Sequence, residues 1–248
     1  MTLRKLGTQY AIYAASGADS NFTAINKFGR NAAVASGGTE EIWDGSAAYV
    51  FPATALMTKI SQTTNQAAMT GKVIEVQGLD ANWAAVTQDV TLNASDTTTA
   101  VTMTTPLLRC FRMKVQADVV TDQPIRCHND AESQDYAIIG AGNNQTLMAI
   151  YTVPADTVAY MTNYWAHHNP ATGATFTSNP IKLWASDRAN SYAKQLKHVV
   201  GVPEDSGFQH PFDPYIKFTE KTDIFLTASP VGAAADVSAG FDLILTND

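Results

Sequence analysis

Short apolar runs separated by turn residues recur along this chain, and this pattern constrains its fold more than any other feature. The clearest run, RCFRMKVQADVV at 109–120, alternates with a period of two. Phe111 and Met113 would face a core, and Arg112 would face water. Similar runs, such as KVIEVQGL, TVAYMTNYW and DIFLT, are bounded by clusters of Asn, Asp, Gly, Ser and Pro. The pattern predicts an all-β protein of the sandwich or barrel type.

The composition agrees with this class and excludes some partners. Of the 248 residues, 45% are hydrophobic and only 16% are charged, which suits strands and turns better than long helices with charge pairs. The formal net charge is −7. An acidic chain repels the nucleic-acid backbone, so we expect no nucleic-acid partner. No apolar run approaches the roughly 18 residues of a membrane span, so we expect no membrane partner.

The two cysteines, Cys110 and Cys127, are predicted to be buried free thiols. A turn at 121–124 would place Cys127 opposite about Asp118, some eight residues from Cys110, which is too far for a disulfide. The start of the chain lacks the continuous apolar stretch of a secretory signal. We therefore expect no cleavage and export of this chain.

The first forty residues differ from the remainder of the chain. They scatter Tyr10, Tyr13, Phe22 and Phe28 among Gly, Ser, Asn and Ala, with no sustained period. Such a segment cannot make a core by itself. We expect residues 1–40 to form an extended N-terminal arm whose aromatic side chains need a pocket on this chain or on a neighbour. The alternative is a loose tail.

Residues 41–248 are predicted to form the β-sandwich, either as one unit or as two sub-sandwiches that divide near 145–155. One segment, 187–200, fits two structures. Its apolar spacing is compatible with a helix, but Val199 is β-branched and Pro203 is near, so we expect a loop that enters a strand. GAGNNQ lacks the third glycine of a dinucleotide loop and leads into a strand-like run, so we expect a hairpin turn there.

The residues suited to catalysis or metal binding are scattered. His167 and His168 are adjacent, and neighbours on an extended strand point to opposite faces, so they cannot easily share one ion. No third ligand stands at a zinc-like spacing, and no Gly-x-Ser-x-Gly motif is present. We therefore expect no catalytic residues, no metal and no cofactor. Trp165 is more often a packing residue, and its alternative role is stacking on a sugar ring.

Several strings resemble a family of virion structural proteins from tailed bacteriophages. They are INKFGRN, IWDG, YVFP, VQGLDANW and VTLN within the first hundred residues, together with the C-terminal PYIKFTEKTDIFLTASPVGAAADVSAGFDLILTND. The resemblance implies a jelly-roll β-sandwich, and it carries over no active-site residues. It also implies assembly in the host cytoplasm into a virion, and it leaves open a position on the capsid surface, at the neck or in a fibre.

On this basis we expect a non-enzymatic protein that binds and reinforces the capsid surface. Its partners would be the major capsid protein and further copies of itself, with a trimer favoured. The four aromatic residues of the arm would make the subunit and capsid contacts. The alternative is a tail, fibre or neck protein that binds a receptor glycan through sandwich loops carrying Trp165, His167 and His168.

Overall fold

The structure, a computed structural model, describes residues 9–45, 48–170 and 178–247. Nearly all of its regular structure is β-strand, and the paired strands run antiparallel. The helical segments within these residues are α1 (Gln9–Ser16) and one short 3-10 segment, Ala67–Met69. The all-β prediction is confirmed.

Two sheets form a first sandwich around one apolar core. The front sheet consists of β1 (Phe22–Val34), β11 (Thr157–Pro170), β14 (Gly207–Phe218) and β16 (Ala235–Asn247), in the order β1-β16-β11-β14. The middle sheet consists of β2 (Glu40–Glu41), β10 (Ile150–Thr152), β12 (Asn179–Asp187), β13 (Gln195–Val202) and β15 (Thr222–Ala228), in the order β10-β15-β12-β13 with β2 also paired to β15. Alternate side chains from both sheets, such as Tyr164, Phe241 and Leu226, are buried between them.

Seven further strands form what we call the inserted sandwich. One of its sheets consists of β3 (Met57–Gln62), β6 (Val101–Leu107), β8 (Ile125–His128) and β9 (Asp135–Ile139), in the order β6-β3-β8-β9. The other consists of β4 (Val73–Leu79), β5 (Ala85–Thr91) and β7 (Arg109–Val115), in the order β5-β4-β7. Its core includes Met57 and Met113, and it also takes Ile150 and Phe225 from the middle sheet. The middle sheet therefore contacts an apolar core on each face.

The inserted sandwich interrupts one strand position of the first sandwich. β15 pairs with β12 along one edge, and along the other edge it pairs with β10 at 223–225 and with β2 at 227–228. The chain thus leaves the middle sheet after β2 and returns beside it at β10. β10 lies within the 145–155 range that the sequence suggests for a division. The two units are nested rather than consecutive, however, because β1 and β2 belong with the C-terminal strands.

Residues 22–34, predicted to belong to an extended arm, instead form an edge strand of the front sheet. β1 pairs with β16 from one end to the other, so the arm prediction is wrong for these residues. The period of two is hidden in the sequence because the buried positions of β1 include Lys27 and Asn31. The partner strand comes from the opposite end of the chain. Residues 1–8 of the predicted arm lie outside the described residues.

β7 departs from the alternation predicted for it. Its pairing with β4 shifts register at Phe111, which becomes the extra residue of a β-bulge. Met113 remains in the core of the inserted sandwich, whereas Phe111 packs in the first core, with its ring centroid 4.7 Å from that of Tyr151. The prediction that Phe111 and Met113 share one core is wrong because the bulge re-aims the Phe111 side chain.

Cys110 and Cys127 are buried free thiols, as predicted. The expectation that they lie far apart is wrong, because both belong to the core of the inserted sandwich, and the Cys110 thiol is near enough to influence that of Cys127. The neighbouring Cys110 thiol and burial raise the pKa of the Cys127 thiol. β8, which carries Cys127, pairs with β3 and β9 rather than with β7, so the hairpin that would have separated the thiols does not form.

Two segments with alternative predictions now have assigned structures. The segment 187–200 is a turn that leads into β13, which confirms the loop-into-strand alternative. GAGNNQ is a turn between β9 and β10, but these strands belong to different sheets. Its prediction as a hairpin turn is therefore wrong, because each flanking strand finds its partner elsewhere.

A buried ion pair joins the two sandwiches. The side chains of Arg109 in β7 and Asp223 in β15 are 3% and 0% exposed, and the guanidinium donates two hydrogen bonds to the carboxylate, at 2.9 and 3.1 Å. The same guanidinium also donates to two backbone carbonyl oxygens. Thr152 and Arg188 each donate to Asp223 at 2.7 Å. Both buried charges are thus compensated by several partners.

Candidate interaction surface

The outer face of the front sheet collects several residues that the sequence predicts as contacts. Phe28 of β1, Gly240 of β16 and Trp165 of β11 stand opposite one another and form one row across this face. Side chains alternate along each strand, and the adjacent residues Tyr164 and Phe241 are fully buried in the first core. Phe28 and Trp165 are half-buried, so part of each ring remains on the surface. We call Phe28, Gly240 and Trp165 the aromatic row.

Glycine at position 240 makes this arrangement possible. A Cβ atom there would lie 2.4 Å from the carbonyl oxygen of Lys27 and 2.8 Å from Cζ2 of Trp165. Both separations are shorter than a Cβ atom tolerates, so a larger residue would displace either the indole ring or the backbone of β1. With glycine, the Trp165 ring lies over β16 and extends the apolar surface toward Phe28.

Polar pairs border the aromatic row on both sides. On one side, the amides of Asn26 and Asn163 donate to the Asp242 carboxylate at 2.5 and 2.6 Å. On the other side, Arg30 makes two hydrogen bonds to Asp236, at 2.9 and 2.6 Å, and these bonds raise the pKa of Arg30. The face therefore has an aromatic centre and a polar rim, which is the usual anatomy of a protein interface.

The two adjacent histidines separate, as the sequence predicts. His167 lies opposite Ser238 on the outer face, two positions from Trp165, and it is exposed. His168 is fully buried, and burial lowers the pKa of its imidazole. Of the three predicted glycan contacts, the structure brings together Trp165 and His167 and places His168 in the interior.

The four aromatic residues predicted as arm contacts do not form one cluster. Phe28 belongs to the aromatic row. Phe22 lies on the same face of β1, six positions away, which is about 20 Å along the strand. Tyr13 is 51% exposed in α1. The backbone of Tyr10 lies in the same helix, and its side chain lies outside the described residues.

A histidine and tyrosine cluster joins three strands at the open edge of the first sandwich. Tyr164 Oη of β11 lies 2.5 Å from His198 Nδ1 of β13, and the ring of His198 stacks on that of His210 of β14 at 4.3 Å between centroids. Burial and the nearby His210 lower the pKa of His198. Within the ranges that the structure describes, no three His, Cys, Asp or Glu side chains come together as a metal site.

Sequence reasoning selected Trp165, His167 and Phe28 but missed Gly240 and Asp242. The sequence does not give the pairing register of the three strands that form this face, because these strands are distant from one another in the chain. A signal was present in VSAGFDLIL, where apolar residues alternate with Ser238, Gly240 and Asp242. That alternation marks the outer positions of β16 but does not say which strands lie beside it.

Comparison with protein-family models, with curated proteins and with solved structures finds no match for this chain. Among the described residues, no helix has the length and apolarity needed to cross a bilayer. Function is therefore inferred from strand order and from the chemistry of the surfaces.

Proposed function

We propose that this protein is a non-enzymatic structural component of a tailed-phage virion, and that it binds and reinforces the capsid surface through the outer face of its front sheet. The observation that carries this proposal is the aromatic row, in which Phe28 and Trp165 present apolar area inside a rim of hydrogen-bonded polar pairs. Aromatic side chains at the centre of a polar surface are the usual anchors of protein interfaces.

The strand order supports a jelly roll, the fold that the phage resemblance implies. When β2 and β10 are taken as one interrupted strand, the first sandwich has four strand positions in each sheet. Consecutive strands pass between the two sheets at every connection except that from β12 to β13. Two sheets of this kind, built from two Greek keys, recur in viral capsid proteins. We therefore propose a jelly roll that carries the inserted sandwich in one strand.

The proposed partners are the major capsid protein and further copies of this chain, with a trimer as the expected oligomer. The outer face of the front sheet is assigned to the capsid. Contacts between copies are assigned to the edge of β13 that pairs with no described strand and to the turn before it, where Leu196, Val199 and Tyr192 are exposed. An unpaired edge strand with apolar side chains is suited to association with another chain.

The test is a co-sedimentation assay with purified phage heads that lack this protein. The double variant Phe28→Ser/Trp165→Ser is expected to bind heads about 30-fold more weakly, because two central aromatic anchors are lost. The control is Val120→Ser, which removes an exposed apolar side chain of the inserted sandwich and should bind as the wild type does. Light scattering on the same samples measures the oligomeric state.

Two results would remove the proposal. One is a wild-type protein that does not sediment with heads. The other is a double variant that keeps the wild-type thermal transition and binds heads with unchanged affinity.

A further inference from the structure

A cleft lies between the edge of β1 that pairs with no described strand and strands β4 and β5 of the inserted sandwich. Its volume is about 490 Å³, which lies within the usual range of small-ligand sites. A smaller cavity of about 60 Å³ adjoins it, since both are lined by Ile25, Gln77, Phe111 and Tyr151. We call the space of about 490 Å³ the larger cleft and the adjoining cavity of about 60 Å³ its deeper end.

The deeper end holds two nearly buried polar side chains. Lys27 is 3% exposed, and among the described residues one acceptor, the carbonyl oxygen of Phe111, serves the three N–H donors of its ammonium group. Tyr151 is also 3% exposed, and its hydroxyl makes no hydrogen bond to any residue that the structure describes. Arg112 stands beside them, with Nη2 donating to the carbonyl oxygen of Asn26 at 2.9 Å.

These groups form a donor-rich end that suits an anion. Lys27, Tyr151 and Arg112 all carry N–H or O–H groups that donate to oxygen. Glu75 is the acidic residue of β4. It is paired with Lys114 at 2.9 Å and accepts a hydrogen bond from Gln77 at 2.7 Å. A carboxylate oxygen binds well beside hydrogen-bond donors that are not already paired with an acidic side chain.

The larger cleft has a different character. Amide and hydroxyl groups come from Asn21, Thr23, Thr87, Thr157 and Asn247. Of the described residues that line it, none is charged. The Phe111 and Tyr151 rings close one end. Neutral hydrogen-bonding groups beside aromatic rings match the hydroxyl groups and apolar faces of a sugar.

We propose that the cleft binds an acidic glycan, with the carboxylate of a uronic-acid residue beside Lys27, Tyr151 and Arg112 and the adjoining sugar ring in the larger cleft. This site is separate from the aromatic row. It therefore goes beyond the proposed capsid contact, and either can fail without the other.

The proposal includes a dependence on pH. Burial, and then the charge of Arg112, lower the pKa of Lys27 to about 7. Among the described residues, the titratable groups that face it are Arg112 and Cys110 from β7 and Tyr151 from β10. Burial raises the pKa of Tyr151, so its hydroxyl stays protonated. Because the charged ammonium binds a carboxylate better than the neutral amine does, affinity should fall as the pH rises from about 6 to about 8.

The experiment is calorimetric titration of the full-length protein with digalacturonate and with the neutral disaccharide galactobiose. Digalacturonate is expected to bind about tenfold more tightly. Tyr151→Phe removes only the unpartnered hydroxyl, so it should weaken digalacturonate binding about fivefold and leave the thermal transition unchanged. Lys27→Met should abolish the preference for the acidic sugar. Val120→Ser, at an exposed residue that lines neither the cleft nor the smaller cavity, is the control and should bind as the wild type does.

Each alternative result overturns the proposal. Equal affinity for the two disaccharides removes the role of Lys27. Unchanged affinity of Tyr151→Phe removes the cleft as the site, even where Lys27→Met does not fold. Binding of an acidic peptide such as triglutamate, without binding of digalacturonate, assigns the site to a protein partner instead.

Discussion

The contact between the two sandwiches buries one cation at each of two places, and these cations have opposite surroundings. Arg109 is held by a carboxylate, two carbonyl oxygens and the rings of Phe51 and Trp83, whose centroids lie 5.4 and 5.1 Å from its guanidinium carbon. Lys27 donates to one carbonyl oxygen and has the Phe111 ring at 5.9 Å. The first cation has acceptors for four of its five N–H donors, whereas the second has one acceptor for three.

The difference separates two uses of a buried charge. A charge whose donors are mostly matched contributes to joining the units, and its removal leaves the partner charge uncompensated. A charge with few partners is costly to keep in the folded protein, and it retains the capacity to bind another group. On this reasoning Arg109 is a structural residue and Lys27 is a ligand-binding residue.

The largest expected effect tests the Arg109 side of the comparison. Asp223→Asn removes the charge that pairs with Arg109 and Arg188, and we expect the free energy of unfolding to fall by about 3–5 kcal/mol. The surface variant Asp236→Asn is the control. It breaks the pair with Arg30, whose side chain is 48% exposed, so it should cost no more than about 1 kcal/mol. Urea unfolding measures both, and equal losses would contradict the structural role of Arg109.

A smaller effect, and one that depends on pH, tests the Lys27 side. The pKa of Lys27 is about 7 in the folded protein and about 10.4 in an unfolded chain. Between these values the unfolded state binds more protons, so stability rises with pH, by at most about 1.4 kcal/mol per unit. Relative to Lys27→Met, the wild type should therefore gain about 2 kcal/mol from pH 7 to pH 9. Urea unfolding of both proteins at the two pH values provides the measurement, and a constant difference between them would show that Lys27 titrates normally.

The smallest expected effects compare two buried tyrosines of the first sandwich. Tyr164→Phe leaves His198 without the partner that lies at 2.5 Å, and it should cost about 1 kcal/mol. Tyr151→Phe removes a hydroxyl with no partner among the described residues, and it should change stability by less than about 0.5 kcal/mol. Thermal unfolding distinguishes the two. A larger loss for Tyr151→Phe would mean that its hydroxyl is already engaged within the protein.

The fold class could be predicted from sequence because it depends on local pattern. The alternation around Met113 and the β-branched run at Val199 are read over a few residues, and both correspond to strands in the structure. β1 was missed because Lys27 and Asn31 occupy buried positions. A polar residue in an inward position conceals the period of two on which a strand prediction depends.

The sites could be predicted only in part, because they depend on register and on one bulge. Trp165 and His167 share a face by alternation alone, and this much follows from sequence. That Gly240 and Phe28 lie in the same row requires the pairing of β1, β16 and β11. The cleft depends further on the bulge at Phe111, which turns the ring toward Tyr151 and offers its carbonyl to Lys27. No local sequence pattern predicts such a bulge.

The nested arrangement of the chain also fixes an order of events during synthesis. The strands of the inserted sandwich all lie between β2 and β10, so they can pair with one another while the C-terminal part is still being translated. The front sheet cannot, because β16 stands between β1 and β11 and follows all the other described strands in the chain. Until β16 is made, β1 lacks its only strand partner within the described residues, and the first core lacks the buried side chains of β16. A copy of this protein thus acquires its outer face, and with it the proposed capsid contact, only after β16 has been synthesised.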